Sequence, residues 1–283
     1  MATFKHYLQL IRVDKPIGTL LLLWPTLWAL FFASGKVPSL KYIIGFSLGV
    51  FLTRASGCVF NDVADVDFDK FVFRTKNRPL VSGVIARKQA IMFGVGLSVL
   101  AFILALIVFN IKAVLLSIPA LIIYVTYPLF KRFFAVPQAY LGVAFSFGIL
   151  MAFMQMQNHL SGIAWLVFAA NLFWVVGYDT IYALIDIDDD LVVGIKTSAI
   201  TFGEFVVPVV AVCYLIFILI MVYVGMLLEL RYSYFVACLL SFLVLLYQTR
   251  ILLLKQKSKY FKLFLINNWV GAILFAGVLL AYL

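Results

Sequence analysis

Nine times the chain runs through an apolar stretch long enough, or nearly so, to cross a bilayer: 17–33, 42–60, 90–109, 113–130, 138–156, 163–178, 205–228, 232–254 and 263–283. A hydrocarbon core about 30 Å thick takes roughly 20 helical residues. Segments of this length predict an all-α membrane protein, a bundle of nine transmembrane helices forming a single domain over 1–283 with the lipid bilayer as its solvent. Composition excludes the soluble alternative: 65% of residues are hydrophobic and 12% charged, against about 25% charged in an ordinary soluble domain. The first run follows Lys5, Arg12 and Lys15 and precedes Ala33-Ser34-Gly35, an arrangement that resembles a secretory signal. It is long for a signal core and the chain behind it is itself membranous, so it is expected to stay as an anchor. Cys58, Cys213 and Cys238 are scattered through apolar runs and read as small buried hydrophobes.

The cations fix an orientation. If the N-terminus and every second loop share one side, that side collects Lys5, Arg12 and Lys15; Lys70, Arg74, Lys76, Arg78, Arg87 and Lys88; Lys131 and Arg132; Lys196; and Arg250, Lys255, Lys257, Lys259 and Lys262. The other side receives only Lys36, Lys41, Lys112 and Arg231. Cytoplasmic loops carry the excess of Lys and Arg, so the N-terminus is expected in the cytoplasm and the C-terminus outside. The net charge of +10 therefore belongs to membrane topology, and no nucleic-acid partner is expected.

The acids are concentrated on the same side. Asp62, Asp65, Asp67 and Asp69 follow the second run, and Asp179, Asp186, Asp188, Asp189 and Asp190 follow the sixth. The two groups lie four segments apart, which suggests a weak internal pseudo-repeat bringing two half-sites to one mouth of the bundle. If the second run continues as a helix, Asn61, Asp65 and Asp69 recur every four residues and share a face, with Arg54 and Cys58 further back on it. Asp62 and Asp67 point elsewhere. Asp179, Tyr182, Asp186 and Asp190 predict a second stripe. Carboxylates this dense repel one another unless a cation intervenes, and an oxygen-only set fits Mg²⁺, which commonly completes its shell with substrate phosphate. DVDFD and DIDDD superficially resemble EF-hand loops, but Lys70 and Leu191 stand where Gly is required, and Lys76 and Thr197 where Glu is. Arg74, Lys76, Arg78, Lys131, Arg132 and Lys196 surround the acids, as an anionic substrate bearing several phosphates would require. Arg54, inside an apolar segment, is costly unless it is paired or serves a ligand.

RVDKPIGTLLLLWPTLWAL (12–30), RASGCVFNDVADVDFD (54–69), RTKNRPLVSG (74–83), YPLFKR (127–132), YDTIYALIDIDDD (178–190) and GIKTSAITFG (194–203) together resemble the UbiA family of intramembrane aromatic prenyltransferases. The resemblance implies nine helices around a central cavity, two Asp-rich motifs at its cytoplasmic mouth, Mg²⁺ as cofactor and a polyprenyl diphosphate as donor substrate. By position it implies metal binding at Asn61, Asp65, Asp69, Asp186 and Asp190, and a functional role for Arg132. The acceptor it implies is 4-hydroxybenzoate, alkylated ortho to its phenol in ubiquinone biosynthesis, with the carboxylate held by Arg54 or Arg132. Substrate contacts are expected from Arg54, Asn61, Arg74, Lys76, Arg78, Lys131, Arg132, Tyr182 and Lys196, and no obligate protein partner is evident. Two alternatives stand beside this reading. One is a sister enzyme taking dihydroxynaphthoate, haem or a glycerol phosphate as acceptor. The other is a cation transporter, which would hold its acids nearer the bilayer midplane.

Overall fold

The computed structural model describes residues 3–71, 75–130 and 132–283, without the side chains of Phe68 and Val193. Arg74 and Lys131, both expected to touch substrate, lie outside the described residues. Among the described residues, twelve α-helices follow in chain order: α1 (Phe4–Leu10), α2 (Ile17–Ser34), α3 (Leu40–Asp69), α4 (Arg87–Val108), α5 (Ile111–Phe130), α6 (Pro137–Gln157), α7 (Gly162–Ala183), α8 (Ile187–Val193), α9 (Ser198–Phe202), α10 (Val206–Leu227), α11 (Tyr232–Leu253) and α12 (Tyr260–Tyr282). Nine helices among the described residues are long and apolar enough to cross a membrane, and they fall on the nine apolar runs. The chain is an integral, multi-pass membrane protein.

Neighbouring helices close a circuit in which α3 packs on α2, α2 on α12, α12 on α11, α11 on α10, α10 on α7, α7 on α6, α6 on α5, and α5 back on α3. α2 and α7 are the most enclosed spans, whereas α4 and α5 turn most of their surface outward. Ile91, Met92, Val95, Val99, Phe102 and Leu106 of α4 are all exposed. An apolar exterior of this extent would aggregate in water; lipid tails solvate it.

Inside, Trp28 and Trp174 have ring centroids 5.4 Å apart, and Trp174 stacks on Phe217 at 5.3 Å with 9° between the planes. Beside this stack is a buried polar knot. Trp174 Nε1 donates to Asn267 Oδ1 (3.1 Å), Asn267 Nδ2 donates to Gln248 Oε1 (3.0 Å), and the Tyr214 hydroxyl donates to the same Gln248 oxygen (3.1 Å). One member comes from each of α7, α10, α11 and α12, so the knot ties four helices. In hydrocarbon these groups have no water to fall back on, which is why they converge.

Small residues set the closest helix approaches. A Cβ on Gly277 of α12 would collide with the Cβ of Ala237 and come within 3.2 Å of the Ser233 carbonyl on α11. Backbone and a side chain with no rotamer to yield cannot give way, so Gly277→Ala is expected to destabilise the bundle by about 1–3 kcal/mol, read as a lower unfolding midpoint in detergent. In the GFSLG stretch of α3, a Cβ on Gly45 would meet Val108 of α4 at 2.6 Å, while Gly49 faces open space. Only the first of that pair marks a close helix contact.

Candidate functional site

α3 has 30 residues, about 45 Å of helix, and so overshoots a hydrocarbon core of about 30 Å. Its last turns carry Asn61, Asp65 and Asp69 on one face, as their spacing predicts. The segment 75–85 folds back over the end of the helix, where Thr75 Oγ1 donates to the Asp69 carbonyl (3.0 Å). This return brings Arg78 onto the acids: its Nη1 donates to Asp69 Oδ2 and also to Asp62 Oδ1 (3.1 Å). Asp62 lies off the Asn61 face and is 1% exposed. Its Oδ1 also accepts from Arg12 Nη2 (2.6 Å), and its Oδ2 is buried without a partner among the described residues. Sequence reading set Asp62 aside and counted Arg12 only toward topology; no local spacing links residues 50 positions apart. Asp67, also set aside, is exposed and pairs with Lys70 at 3.0 Å.

The second acidic group departs from expectation. Its stripe is not one helical face, because α7 ends at Ala183 and Asp186 is the N-cap residue of the separate α8. Asp179 and Tyr182 therefore sit on α7, Asp186 and Asp190 on α8. The physical reason is the helix dipole. A continued α7 would place Asp186, Asp188, Asp189 and Asp190 at its negative C-terminal end, whereas a new helix receives them at its positive start. Tyr182 packs its ring on Phe264 at 4.6 Å.

One short segment joins the flanks of both groups. After α5, Arg132 Nη2 donates to the Ala64 carbonyl, next to Asp65 (3.4 Å). Lys196 Nζ, just beyond α8, donates to the Phe133 carbonyl (3.2 Å), and Thr201 Oγ1 to the Ala135 carbonyl. Residues 132–135 thus bond to the end of α3 on one side and to the 196–201 segment on the other. That segment is anchored in turn by Ser198, whose amide donates to Gln138 Oε1 (2.8 Å) and whose hydroxyl bonds to Thr180 (2.6 Å). Lys76 is exposed on the return that carries Arg78.

Deeper in the bundle, Arg54 Nη1 donates to Cys58 Sγ (3.0 Å), and the Arg54 carbonyl accepts from the Tyr124 hydroxyl (3.3 Å). Among the described residues it forms no ion pair. Gly18 of α2 gives the guanidinium its space, since a Cβ there would stand 2.8 Å from Nη2. Tyr178 of α7 lies within its electrostatic reach, and the Tyr178 hydroxyl is buried without a hydrogen-bond partner among the described residues. A half-buried guanidinium with no ion pair among the described residues, beside an unsatisfied hydroxyl, is an arrangement that suits an anionic ligand.

Among the described residues no three His, Cys, Asp or Glu side chains gather closely enough to cage a metal. This donor set fits Mg²⁺ held by one or two carboxylates together with substrate phosphate and water, and does not fit a closed protein cage.

The model of the UbiA prenyltransferase family matches residues 22–281. The chain is 48% identical over 277 residues to the 4-hydroxybenzoate octaprenyltransferase of Nitrosomonas eutropha, covering 98% of this chain and 96% of the relative. Among solved structures, a UbiA homolog from Aeropyrum pernix in its apo form superposes with a TM-score of 0.82 at 26% identity, covering 94% of this chain and 99% of that one. A homolog from Archaeoglobus fulgidus bound to GPP and Mg²⁺ gives a TM-score of 0.71 at 20% identity, over 98% and 99% of the two chains.

Proposed function

The chain belongs to the UbiA prenyltransferase family, and from that membership we propose that it transfers a polyprenyl group from polyprenyl diphosphate to the ring carbon of 4-hydroxybenzoate ortho to the phenol, in ubiquinone biosynthesis. The observation that carries this reading is the bridge at 132–135, a short segment that hydrogen-bonds to the first acidic helix through Arg132 and to the segment after the second acidic group through Phe133. Two carboxylate sets tied to one loop, with Arg78, Arg132 and Lys196 among them, suit a diphosphate far better than they suit a single bare cation. The curated relative's name supports the acceptor, and the Archaeoglobus homolog's bound GPP and Mg²⁺ support the donor class and the metal.

Asn61, Asp65 and Asp69 on α3, with Asp186 and Asp190 at α8, would hold Mg²⁺. When bound, that ion draws charge from the diphosphate and improves it as a leaving group. Arg78, Arg132, Lys76 and Lys196 are placed to stabilise negative charge as it builds on the departing oxygens. The allylic C1–O bond breaks with its electron pair going to the diphosphate. The ring carbon beside the phenol then supplies the pair for the new C–C bond, and its proton leaves to restore aromaticity. The apolar bundle excludes water that would otherwise quench the allylic cation.

Arg54 seats the acceptor carboxylate in this reading, and Arg132 serves the diphosphate. Arg54 lies about two turns, roughly 10 Å, deeper along α3 than Asn61, a depth that accommodates a benzoate ring between the two. Arg132 reaches the backbone beside Asp65, at the level of the phosphates. The N-terminus and the site's mouth face the cytoplasm of a bacterial inner membrane and the C-terminus the periplasm, on the evidence of the loop cations.

Purified protein in nanodiscs is expected to prenylate 4-hydroxybenzoate when given octaprenyl diphosphate and Mg²⁺, and to reject dihydroxynaphthoate, haem and glycerol phosphates offered in parallel. Chelation of divalent ions is expected to remove the activity and added Mg²⁺ to restore it; turnover that survives full chelation overturns the metal role.

A further inference from the structure

Arg78 is expected to contact diphosphate, yet its Nη1 is engaged by two carboxylates. Its Nη1 has two hydrogens, and one goes to Asp69 and the other to Asp62. Asp69 is the last carboxylate of the proposed metal stripe. Asp62 is not on that stripe, is almost completely buried, and gathers two guanidiniums on a single oxygen while its other oxygen has no partner among the described residues. A buried carboxylate with two cations on one oxygen is a firm anchor, and removing any member leaves charge stranded.

We propose that Asp62 is a positioning residue that tethers Arg78, so that this one guanidinium neutralises Asp69 while the site is empty and is handed to the diphosphate when a divalent cation takes Asp69. The inference rests on reading Asp69 as a metal ligand. It accounts for Arg78 standing against the carboxylate that a divalent cation would take. It also gives the unbonded Oδ2 of Asp62 a use. On leaving Asp69, Arg78 can close a two-point contact with both oxygens of Asp62, the fork geometry that guanidinium and carboxylate favour, and still present three N–H groups to phosphate oxygens. Arg12 holds the anchor from the other side. It follows α1, whose Tyr7 packs edge-on against Phe93 of α4 at 5.0 Å, and its backbone is left-handed (φ 60°), a conformation uncommon for such a side chain. The N-terminal segment is thereby linked to the cation-binding end of α3.

The test is Mn²⁺ binding to the purified full-length protein without any prenyl diphosphate, followed by the loss of the free-ion EPR signal. Arg78→Gln removes the competitor for Asp69 and is expected to tighten Mn²⁺ by about tenfold, a charge-assisted hydrogen bond being worth about that much. The KM for prenyl diphosphate is expected to rise in the same variant. Arg12→Gln touches neither Asp69 nor substrate in this arrangement. It is expected to tighten Mn²⁺ as well, because Asp62 then draws Arg78 away from Asp69; it carries the test if Arg78→Gln does not fold. Lys70→Gln removes the same unit of charge from an exposed neighbour and is expected to change Mn²⁺ affinity by about twofold or less. Asp62→Asn removes the pull that draws Arg78 off Asp69, leaving the guanidinium to Asp69 alone, and is expected to weaken Mn²⁺ binding, with the Asp62→Asn/Arg78→Gln double variant returning to the tight value. Equal Mn²⁺ affinity in wild type, Arg78→Gln and Arg12→Gln overturns the handover and leaves the metal reading standing. Absence of Mn²⁺ binding in all of them overturns both.

Discussion

Asp65→Ala and Asp186→Ala are each expected to lower the turnover of 4-hydroxybenzoate by at least about 10²-fold in a purified assay, with elution profile and helical spectrum unchanged. Each residue belongs to one of the two carboxylate sets, and in the proposed mechanism either set alone would leave the diphosphate without half of the charge that stabilises its departure. Asp67→Ala is the internal comparison. Asp67 lies between Asp65 and Asp69 in sequence but is exposed and held only against Lys70, and its loss is expected to change turnover by less than about threefold, as for surface sites generally. A collapse of activity in Asp67→Ala equal to that in Asp65→Ala would show that local charge, and not the face of α3, is what matters.

Arg54→Gln separates the two substrates. It is expected to lower kcat/KM for 4-hydroxybenzoate by about 10²-fold, since truncating one partner of a buried charged pair costs about 2–5 kcal/mol, while the KM for the prenyl diphosphate stays within a few-fold of wild type. Arg132→Gln is expected to do the reverse. A 4-hydroxyphenyl acceptor without the carboxylate sharpens the comparison, because wild type and Arg54→Gln should use it equally badly. If the acceptor defect appears in Arg132→Gln and not in Arg54→Gln, the seat of the carboxylate is at the wrong depth of the bundle.

The long-range architecture was legible because hydrophobic run length is a direct readout of bilayer thickness, and all nine runs became helices, most of them within a few residues of their predicted limits, although α3 continues from 60 to Asp69 and α7 from 178 to Ala183. The first acidic stripe was legible for a similar reason. α3 stays helical through Asp69, so a spacing of four translates into one face. The second was only half legible: its spacing is equally helical, but the carboxylates themselves favour starting a new helix, and the break at Ala183 follows from charge rather than from periodicity. Least legible was everything that depends on chain return. Arg12, Asp62 and Arg78 meet because α1 and the 75–85 segment fold onto α3, and Tyr178 comes within electrostatic reach of Arg54 from a helix more than a hundred residues further along the chain. The sequence did mark Arg54 as anomalous, because a cation in an apolar run needs an explanation; it could not say that Tyr178 stands beside it.

The knot of Trp174, Tyr214, Gln248 and Asn267 has a consequence for biogenesis. Helices of this kind enter the membrane one after another, and grease alone does not tell them how far to slide past each other, since lipid and Leu are nearly equivalent surroundings. Four polar groups that match in a single vertical alignment supply a ruler. A pair of spans docked one turn too high would carry amide and indole N–H groups into hydrocarbon unmet, so the last four crossings have a built-in means of proofreading their own assembly.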